Sequence, residues 1–403
     1  MTTIFSIAQF RQYFPAIQDK TIFLDSAATA LKPNSMIAVT VDYYKHTNTS
    51  VHRGQHPTAQ TTTHIYEQTR KKVAELINAN QVEEIIWTKG STESINFITQ
   101  GYFRPRLQPN DEIIVSEIEH HANFIPWLIV AEQTGAKIVK WPLEEIKKLS
   151  IKHLTTLINR RTRLIAISQM SNVTGEQPDI QAITTLAHQR NILVVVDGAQ
   201  GIVHRGIDVQ ALDIDFYVFS AHKLYGPTGL GICYGKIALL EEIAPWQGGG
   251  KMLIKANFSH FSPEAIPYRF EAGTPNIAGV LAFNAVIDWM KAINWQQAEN
   301  YAIALTDYTE NQLAKLPGFI SYRHPDTTLL AFNYVNIHHS DLATLLAEQN
   351  IALRSGQHCA QPLMNALTIN GCLRASFMPY NNQEDADKLV TAVDFALSLL
   401  QEN

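Results

Sequence analysis

Short, almost continuously apolar runs alternate along the first 240 or so residues with segments whose apolar positions recur every three or four places. Seven runs predict strands: residues 84–87, 112–116, 137–141, 163–168, 192–197, 215–220 and 230–234. Leu193-Val194-Val195-Val196 has no polar position at all, the pattern of a strand covered on both faces. Between the runs, residues 178–190 set Ile180, Ile183, Leu186 and Ala187 on one helical face, with Pro178 suited to a first turn. Residues 123–133 align Phe124, Trp127, Leu128 and Ala131, and Gly135 follows as a stop. A third helix opens at Gly90-Ser91-Thr92 and is expected to end at Gly101. This alternation predicts an α/β fold: a mostly parallel, seven-stranded sheet with right-handed crossovers.

The alternation fades after about residue 240. Gly248-Gly249-Gly250 and residues 259–267 predict loops. Beyond Val280 the pattern is mainly helical, with one sheet-like patch at 329–335. A last helix over about 383–400 lines up Leu389, Val393, Ala396, Leu397 and Leu400. Two domains follow: a large one over 21–285, and a smaller α+β one over 286–403 on which residues 1–20 pack. A length of 403 residues, more than one core usually serves, points the same way. The formal charge of −5, without any long Lys/Arg run, excludes a nucleic-acid footprint. Met1-Thr2-Thr3-Ile4-Phe5-Ser6 lacks the basic start and apolar stretch of a signal peptide, and apolar segments such as 125–131 are too short to span a bilayer. Three cysteines, Cys233, Cys359 and Cys372, do not make a disulfide framework, so a reducing, cytoplasmic compartment is expected and no membrane.

The chemistry gathers at predicted strand ends. The run 192–197 ends in Asp197, and 26 residues later Lys223 stands in Ser220-Ala221-His222-Lys223 after the next strand. This is the layout that pyridoxal phosphate needs: a lysine amine to form an imine with the aldehyde, and an acid to keep the ring nitrogen charged. Gly90-Ser91-Thr92 at a helix start is either an ordinary N-cap or an anion site; beside Lys223 and Asp197, Ser91 and Thr92 are assigned to the phosphate. Ser220 and His222 are further phosphate donors, and Gln200 reaches the cofactor's phenolic oxygen. Asn172 is another end-of-strand amide. His120 either stacks on the ring and moves protons or is a structural hydrogen bonder. No His-x₃-His or Cys-x₂-Cys pair lies near His120-His121 in the chain, so no metal is assigned. Cys359, in Gly356-Gln357-His358-Cys359-Ala360-Gln361-Pro362, is read as a nucleophile in an exposed loop, its thiolate favoured by His358 and Arg354. Cys233 and Cys372 are read as structural. Arg374, alone in an apolar stretch, either holds a substrate α-carboxylate or makes a structural ion pair. These groups share the carboxyl ends of strands, where open α/β sheets bind ligands.

With these residues assembled, the chain resembles the class V aminotransferase-like, fold-type I enzymes. Within them it is similar to the group II cysteine desulfurases of the SufS/CsdA kind, the CsdA (cysteine sulfinate desulfinase) type being nearer. The resemblance rests on Leu24-Asp25-Ser26-Ala27-Ala28-Thr29-Ala30, Val51-His52-Arg53, Ser91-Thr92-Glu93-Ser94-Ile95-Asn96, Glu119-His120-His121-Ala122-Asn123, Ser171-Asn172-Val173-Thr174-Gly175, Asp197-Gly198-Ala199-Gln200-Gly201, His222-Lys223-Leu224-Tyr225-Gly226-Pro227, Glu271-Ala272-Gly273-Thr274-Pro275-Asn276 and the Cys359 segment. It implies a homodimer in which Thr274, and with it His52 and Arg53, reach the partner's site. It implies Lys223, Cys359 and His120 as catalytic residues, and Arg374, Asn172, Arg354 and His52 around the substrate. It also implies a sulfur-acceptor protein of the SufE/CsdE type and a place in iron–sulfur cluster assembly. One departure stands out: Ala221 occupies a position where the family usually has glycine, which puts the local loop geometry in question.

The activity implied is conversion of L-cysteine to L-alanine with sulfur left as a persulfide on Cys359, and action on cysteine sulfinate and selenocysteine as well. The alternative is a pyridoxal phosphate aminotransferase or other lyase on the same fold without sulfur transfer. A cysteine hydrolase leaves Lys223 and Asp197 unexplained, and a non-catalytic sulfur carrier does not need a complete cofactor site. A nicotinamide enzyme is disfavoured, because no Gly-x-Gly-x-x-Gly follows the first strand.

Overall fold

In the computed structural model, which describes residues 5–18, 20–144 and 148–401, all seven predicted strands form within one residue of their expected bounds. They are β1 (Ile85–Thr88), β2 (Glu112–Ser116), β3 (Lys137–Trp141), β4 (Thr162–Ser168), β5 (Leu193–Asp197), β6 (Phe216–Ser220) and β7 (Gly231–Gly235). Their order in the sheet is β1-β7-β6-β5-β4-β2-β3. Only β7 runs antiparallel to its neighbours. Ile113, Val115, Leu164, Ala166, Val195, Phe216 and Val218 fill a core on one face with Phe97, Phe103 and Trp127. The alternate residues Ile114, Ile165, Ile167, Val194, Val196 and Tyr217 are equally buried. Burial on both faces explains why these strands read as unbroken apolar runs.

The sheet belongs to one of two compact units, Ser35–Gln169 with Gln177–Ile287. Several local expectations need correction here. The helix Ser91–Phe97 does not stop at Gly101 but continues as a wider helical turn, Ile98–Phe103. Gly101 serves packing instead, since a Cβ there would lie 2.9 Å from Ile243. Pro178 lies ahead of the helix Ile180–His188, whose N-cap is Asp179, accepting from the Ala182 amide. Leu128 is exposed rather than on the buried face of Ile125–Thr134, but Gly135 ends that helix as expected, at φ +76°. Residues 259–267 are not all loop. β8 (Leu253–Ala256) and β9 (Phe261–Pro263) pair as an exposed hairpin, a pairing that composition rich in Ser and Pro conceals.

The other unit comprises the described residues of Met1–Asn34, Met170–Glu176 and Asp288–Asn403. It holds a four-stranded antiparallel sheet, where the sequence pattern shows only one patch. β10 (Phe319–Ser321), β11 (Leu329–Tyr334), β12 (Arg354–Gly356) and β13 (Cys372–Ser376) lie in the order β10-β11-β13-β12. β12 is short and polar and β13 carries Arg374 at its centre, so neither alternates cleanly. Leu330, Phe332, Leu373 and Ala375 pack with Leu389, Val393, Ala396 and Leu397 of the helix Gln383–Gln401. Near the N-terminus, Phe10 and Phe14 are buried among aromatic rings: Phe10 lies 5.7 Å from Trp289 and Phe14 4.9 Å from Tyr380. Residues 1–4 and 19, part of the segment expected to pack on the smaller domain, lie outside the described residues.

His188, at the end of its helix, ties together the ends of the large sheet opposite Asp197. Its two ring nitrogens lie 2.8 Å from carboxylates of Asp213 and Asp215, and Lys236 reaches both acids. Asp215 also accepts the Val194 amide of β5. The hydrogen bond to Asp215 raises the His188 pKa, against the pull of burial. The imidazolium is therefore favoured in the folded state. Its stabilisation is complete below the usual histidine value of about 6.5 and fades as pH rises through the raised value. His188→Gln is expected to lower the melting temperature by roughly 1–3 °C at pH 6 and to have less effect at pH 9. Thermal unfolding at both pH values checks this; an equal loss at both would rule out the charge as the cause.

Candidate active site

The large unit collects one set of predicted residues at the carboxyl edge of its sheet. Ser168 of β4, Asp197 of β5 and Val218 of β6 stand in one register row; Ser220 of β6, Gly231 of β7 and Thr88 of β1 stand in another. Asp197 is 5% exposed, and its Oδ1 accepts the Ala199 amide at 2.9 Å. Burial raises its pKa, and only that amide and the charge of Lys223 pull it back. A carboxylate so placed is short of positive charge. Lys223 itself closes a single helical turn, Ala221–Lys223, directly after β6, and is half-buried. Ala221 fits this turn: it is fully buried, and the left-handed residue nearby is Tyr225, at φ +58°. The methyl that departs from the family pattern therefore imposes no strained φ.

Ser91 and Ser220 meet at the start of the helix Ser91–Phe97. The Ser91 amide donates to the Ser220 Oγ at 2.8 Å, and the two hydroxyls are 3.0 Å apart. Thr92 beside them is exposed, and His222 is half-buried next to Lys223. This turn sits on β7 with no room to spare: a Cβ on Gly231 would lie 2.3 Å from the Gly90 Cα. Gln200 is buried, with its Nε2 3.2 Å from His204 Nε2 and its Oε1 without a hydrogen-bond partner. His120 caps the turn His121–Asn123, its Nδ1 accepting the Ala122 amide at 3.0 Å, which leaves Nε2 to carry the proton of the neutral ring. Thr274 is exposed on the loop before the helix Ile277–Lys291. His52 bonds Glu67 at 2.7 Å through Nε2, while Arg53 is exposed.

The smaller unit brings together the others. Gly356, His358 and Cys359 have φ of +113°, +51° and +55°. Two consecutive left-handed residues other than glycine are costly, by about 1 kcal/mol or more each. The turn is held by Asn172, whose Nδ2 donates to the His358 oxygen at 2.8 Å, and by His358 Nε2, 3.0 Å from the Cys372 oxygen. His358 corrects the expectation of an exposed loop that lends charge to the thiol. It is 4% exposed, and burial, seconded by Arg374, pushes its pKa down to about 3, so the ring is neutral. Cys359 is half-buried. Cys233 and Cys372 are buried, and burial raises both thiols. Arg374 is 2% exposed and pairs with Asp25 at 3.1 Å, and its Nη1 donates to the Asn172 oxygen at 2.8 Å. Arg354 lies opposite it on β12.

Three supports were not legible from residue types. Glu119 is buried and receives Ser116 Oγ at 2.5 Å, Ser168 N at 2.9 Å and Oγ at 2.6 Å, and Asn123 Nδ2 at 2.6 Å. It thus joins β2 to β4 beneath the His120 turn, and burial raises its pKa to about 7 against those bonds. Arg70 and Glu271 form a buried two-pronged pair at 2.6 and 3.0 Å, and Glu271 also accepts the Trp87 amide, fixing the start of the Thr274 loop to β1. Asp25 is the third. Each appears in the sequence as an unremarkable charge, and only its partners give it a role. Among the described residues, no cluster of three His, Cys, Asp or Glu side chains is placed to hold a metal.

The fold and these residues define a class: the chain belongs to the aminotransferase class-V family, whose model matches residues 22–389. More particularly, it is 54% identical over 397 residues to cysteine desulfurase CsdA of Escherichia coli K12, covering 98% of this chain and 99% of that one. The crystal structure of E. coli cysteine desulfurase CsdA in an S-sulfonic acid form superposes with a TM-score of 0.94 at 53% identity, over 98% of this chain and all of the other. An apo cysteine desulfurase from Thermococcus onnurineus NA1 gives 0.93 at 30% identity, over 99% of this chain and 100% of that one.

Because one methyl forced into a packed contact costs about 1–3 kcal/mol, Gly231→Ala is expected to weaken retention of pyridoxal phosphate roughly tenfold. Equilibrium dialysis checks this, with circular dichroism to confirm the fold. Undiminished binding in a folded variant would mean that the Gly90 turn does not hold the phosphate.

Proposed function

We propose that this chain is a pyridoxal phosphate-dependent cysteine desulfurase. It converts L-cysteine to L-alanine and leaves the sulfur as a persulfide on Cys359 for delivery to an acceptor protein. The observation that carries the reading is Asp197, a strand-end carboxylate buried beyond what its one amide bond and the field of Lys223 offset. A cationic ring nitrogen would supply the missing charge. The unpartnered Gln200 Oε1 and the hydroxyl pair of Ser91 and Ser220 also fit such a group. The 54% identity to cysteine desulfurase CsdA supports the same activity.

When bound, the cofactor supplies a sink for the electron pair released at the substrate α-carbon. Lys223 Nζ would tether it and, as a free amine, would take the α-proton. Asp197 holds the ring nitrogen charged. Ser91, Thr92, Ser220 and His222 bind the phosphate, joined by Thr274 of a second copy in a homodimer. Gln200 serves the phenolic oxygen; a half-turn of its amide exchanges the acceptor now unpartnered for a donor. Arg374 receives the α-carboxylate, with Asn172, Arg354 and the partner copy's His52 residue type around it. Cys359 Sγ then attacks the substrate sulfur: the Sγ–S bond forms, the Cβ–S bond breaks, and its electron pair stays with carbon. His120 holds the proton that completes L-alanine.

In this reading the unit of Ser35–Gln169 and Gln177–Ile287 is the cofactor domain, and the other unit carries the Cys359 turn. The enzyme works in the cytoplasm with an acceptor of the SufE/CsdE type, feeding iron–sulfur cluster assembly. No single described helix is long and apolar enough to cross a membrane.

Sulfinate and selenide leave carbon with less nucleophilic help than sulfide. Cys359→Ala is therefore expected to abolish alanine formation from L-cysteine but to spare much of it from cysteine sulfinate and selenocysteine. Lys223→Ala should lose all three and the cofactor's visible absorbance. Alanine quantified on each substrate decides the matter, and equal loss on all three in Cys359→Ala would remove the nucleophile from the scheme. Sulfur-independent turnover that requires a keto acid would favour an aminotransferase.

A further inference from the structure

A guanidinium as buried as that of Arg374 needs both its charge and its N–H groups met. Its Nη1 is committed to the main-chain oxygen of Asn172. Its Nε is buried without a hydrogen-bond partner. Its Nη2 donates to one oxygen of Asp25, at 3.1 Å. Nε and Nη2 form the side edge of the planar fork, an edge that matches the two oxygens of a carboxylate. This edge is only half used: one N–H is bare and the other is held by a single oxygen. Asp25 is not sealed in with it, for its side chain is 27% exposed against 2% for Arg374. The charges are also uneven. Arg354, opposite on β12, repels Arg374 and helps lower its pKa, after burial and against Asp25. Arg374 thus faces a second guanidinium and pairs with only one carboxylate, an excess of positive charge that favours a further anion.

We propose that Asp25 is a specificity-determining placeholder, a carboxylate that occupies the side edge of Arg374 until the α-carboxylate of the substrate displaces it. The inference rests on the desulfurase reading and adds a residue to it. Exchange of one carboxylate for another means that the buried arginine is never left without an anion. Binding then reports the difference between two ion pairs, so affinity for the amino acid is held below what a bare Arg374 would give. A ligand without a carboxylate cannot make the exchange and gains nothing from the edge.

The test compares holoenzyme carrying Asp25→Asn with wild type on three ligands: L-cysteine as substrate, L-alanine as a carboxylate-bearing ligand, and cysteamine, which lacks the carboxylate. With the competing charge removed, the KM for L-cysteine and the dissociation constant of L-alanine should each fall roughly tenfold. The kcat should stay within about threefold, the split expected when ground-state binding alone changes. Cysteamine binding should not move. Asp25→Glu, which keeps the charge on a longer arm, should not tighten L-alanine. If the asparagine variant does not fold, Asp25→Ser gives the same comparison. A KM that is unchanged or raised in the neutral variants overturns the proposal, because Asp25 would then only hold Arg374 in place. So does an equal shift for cysteamine. The two readings fail differently: wild type that neither consumes L-cysteine nor binds L-alanine takes down both, whereas wild type that does both with an indifferent Asp25→Asn takes down the placeholder alone.

Discussion

A carboxylate sunk at the end of a central strand, with too little charge around it, is the constraint on which the larger unit turns. Asp197 ends β5, in the middle of a sheet whose two faces are both covered. Burial there costs the ionised form dearly unless a cation arrives. The sheet meets this by geometry. Parallel strands deliver their carboxyl ends to one edge, so the turn that bears Lys223 follows β6, the neighbour of β5, and its charge falls on Asp197. The same edge receives the Ser91 turn from β1 and the His120 turn after β2. It owes its sharpness to packing: Gly231 lets the Gly90 turn lie on β7, and Glu119 ties β2 to β4 below His120.

The smaller unit solves a different problem. The proposed nucleophile Cys359 has to be presented rather than buried, and its turn carries backbone strain at His358 and Cys359. The strain is balanced by bonds that reach the turn from two directions, Asn172 to the His358 carbonyl and the His358 ring to Cys372. Because the ring is neutral, its contribution is positional and not electrostatic. Asn172 also accepts from Arg374, so the proposed carboxylate site and the cysteine turn share one residue as a support. The inert thiols show the contrast: Cys233 and Cys372 lie in strands and are raised by burial, whereas Cys359 sits in a turn between β12 and the helix Gln361–Ala366.

Most of the large sheet was legible because burial on both faces leaves an unmistakable signal, an apolar run with a turn at each end. The smaller sheet was not, since β12 is three polar or small residues and β13 is interrupted by an arginine; each becomes a strand only through its neighbours. The same division holds among the charged groups. Lys223, Asp197 and Cys359 announce themselves through the turns around them. Glu119, Arg70 and Asp25 do not, because a single charge in a sequence carries no sign of what faces it from 50, 200 or 350 residues away.

The sequence by itself determined the strand count, the order of chemical groups along the chain and the cofactor chemistry they imply, because these depend on local periodicity and on residue types close together in the chain. Only the tertiary structure decided which charges are buried, that His358 is neutral, that Ala221 sits without strain, and that Arg374 keeps a carboxylate of its own. Those outcomes depend on desolvation and on contacts between distant segments, and no window of sequence contains them.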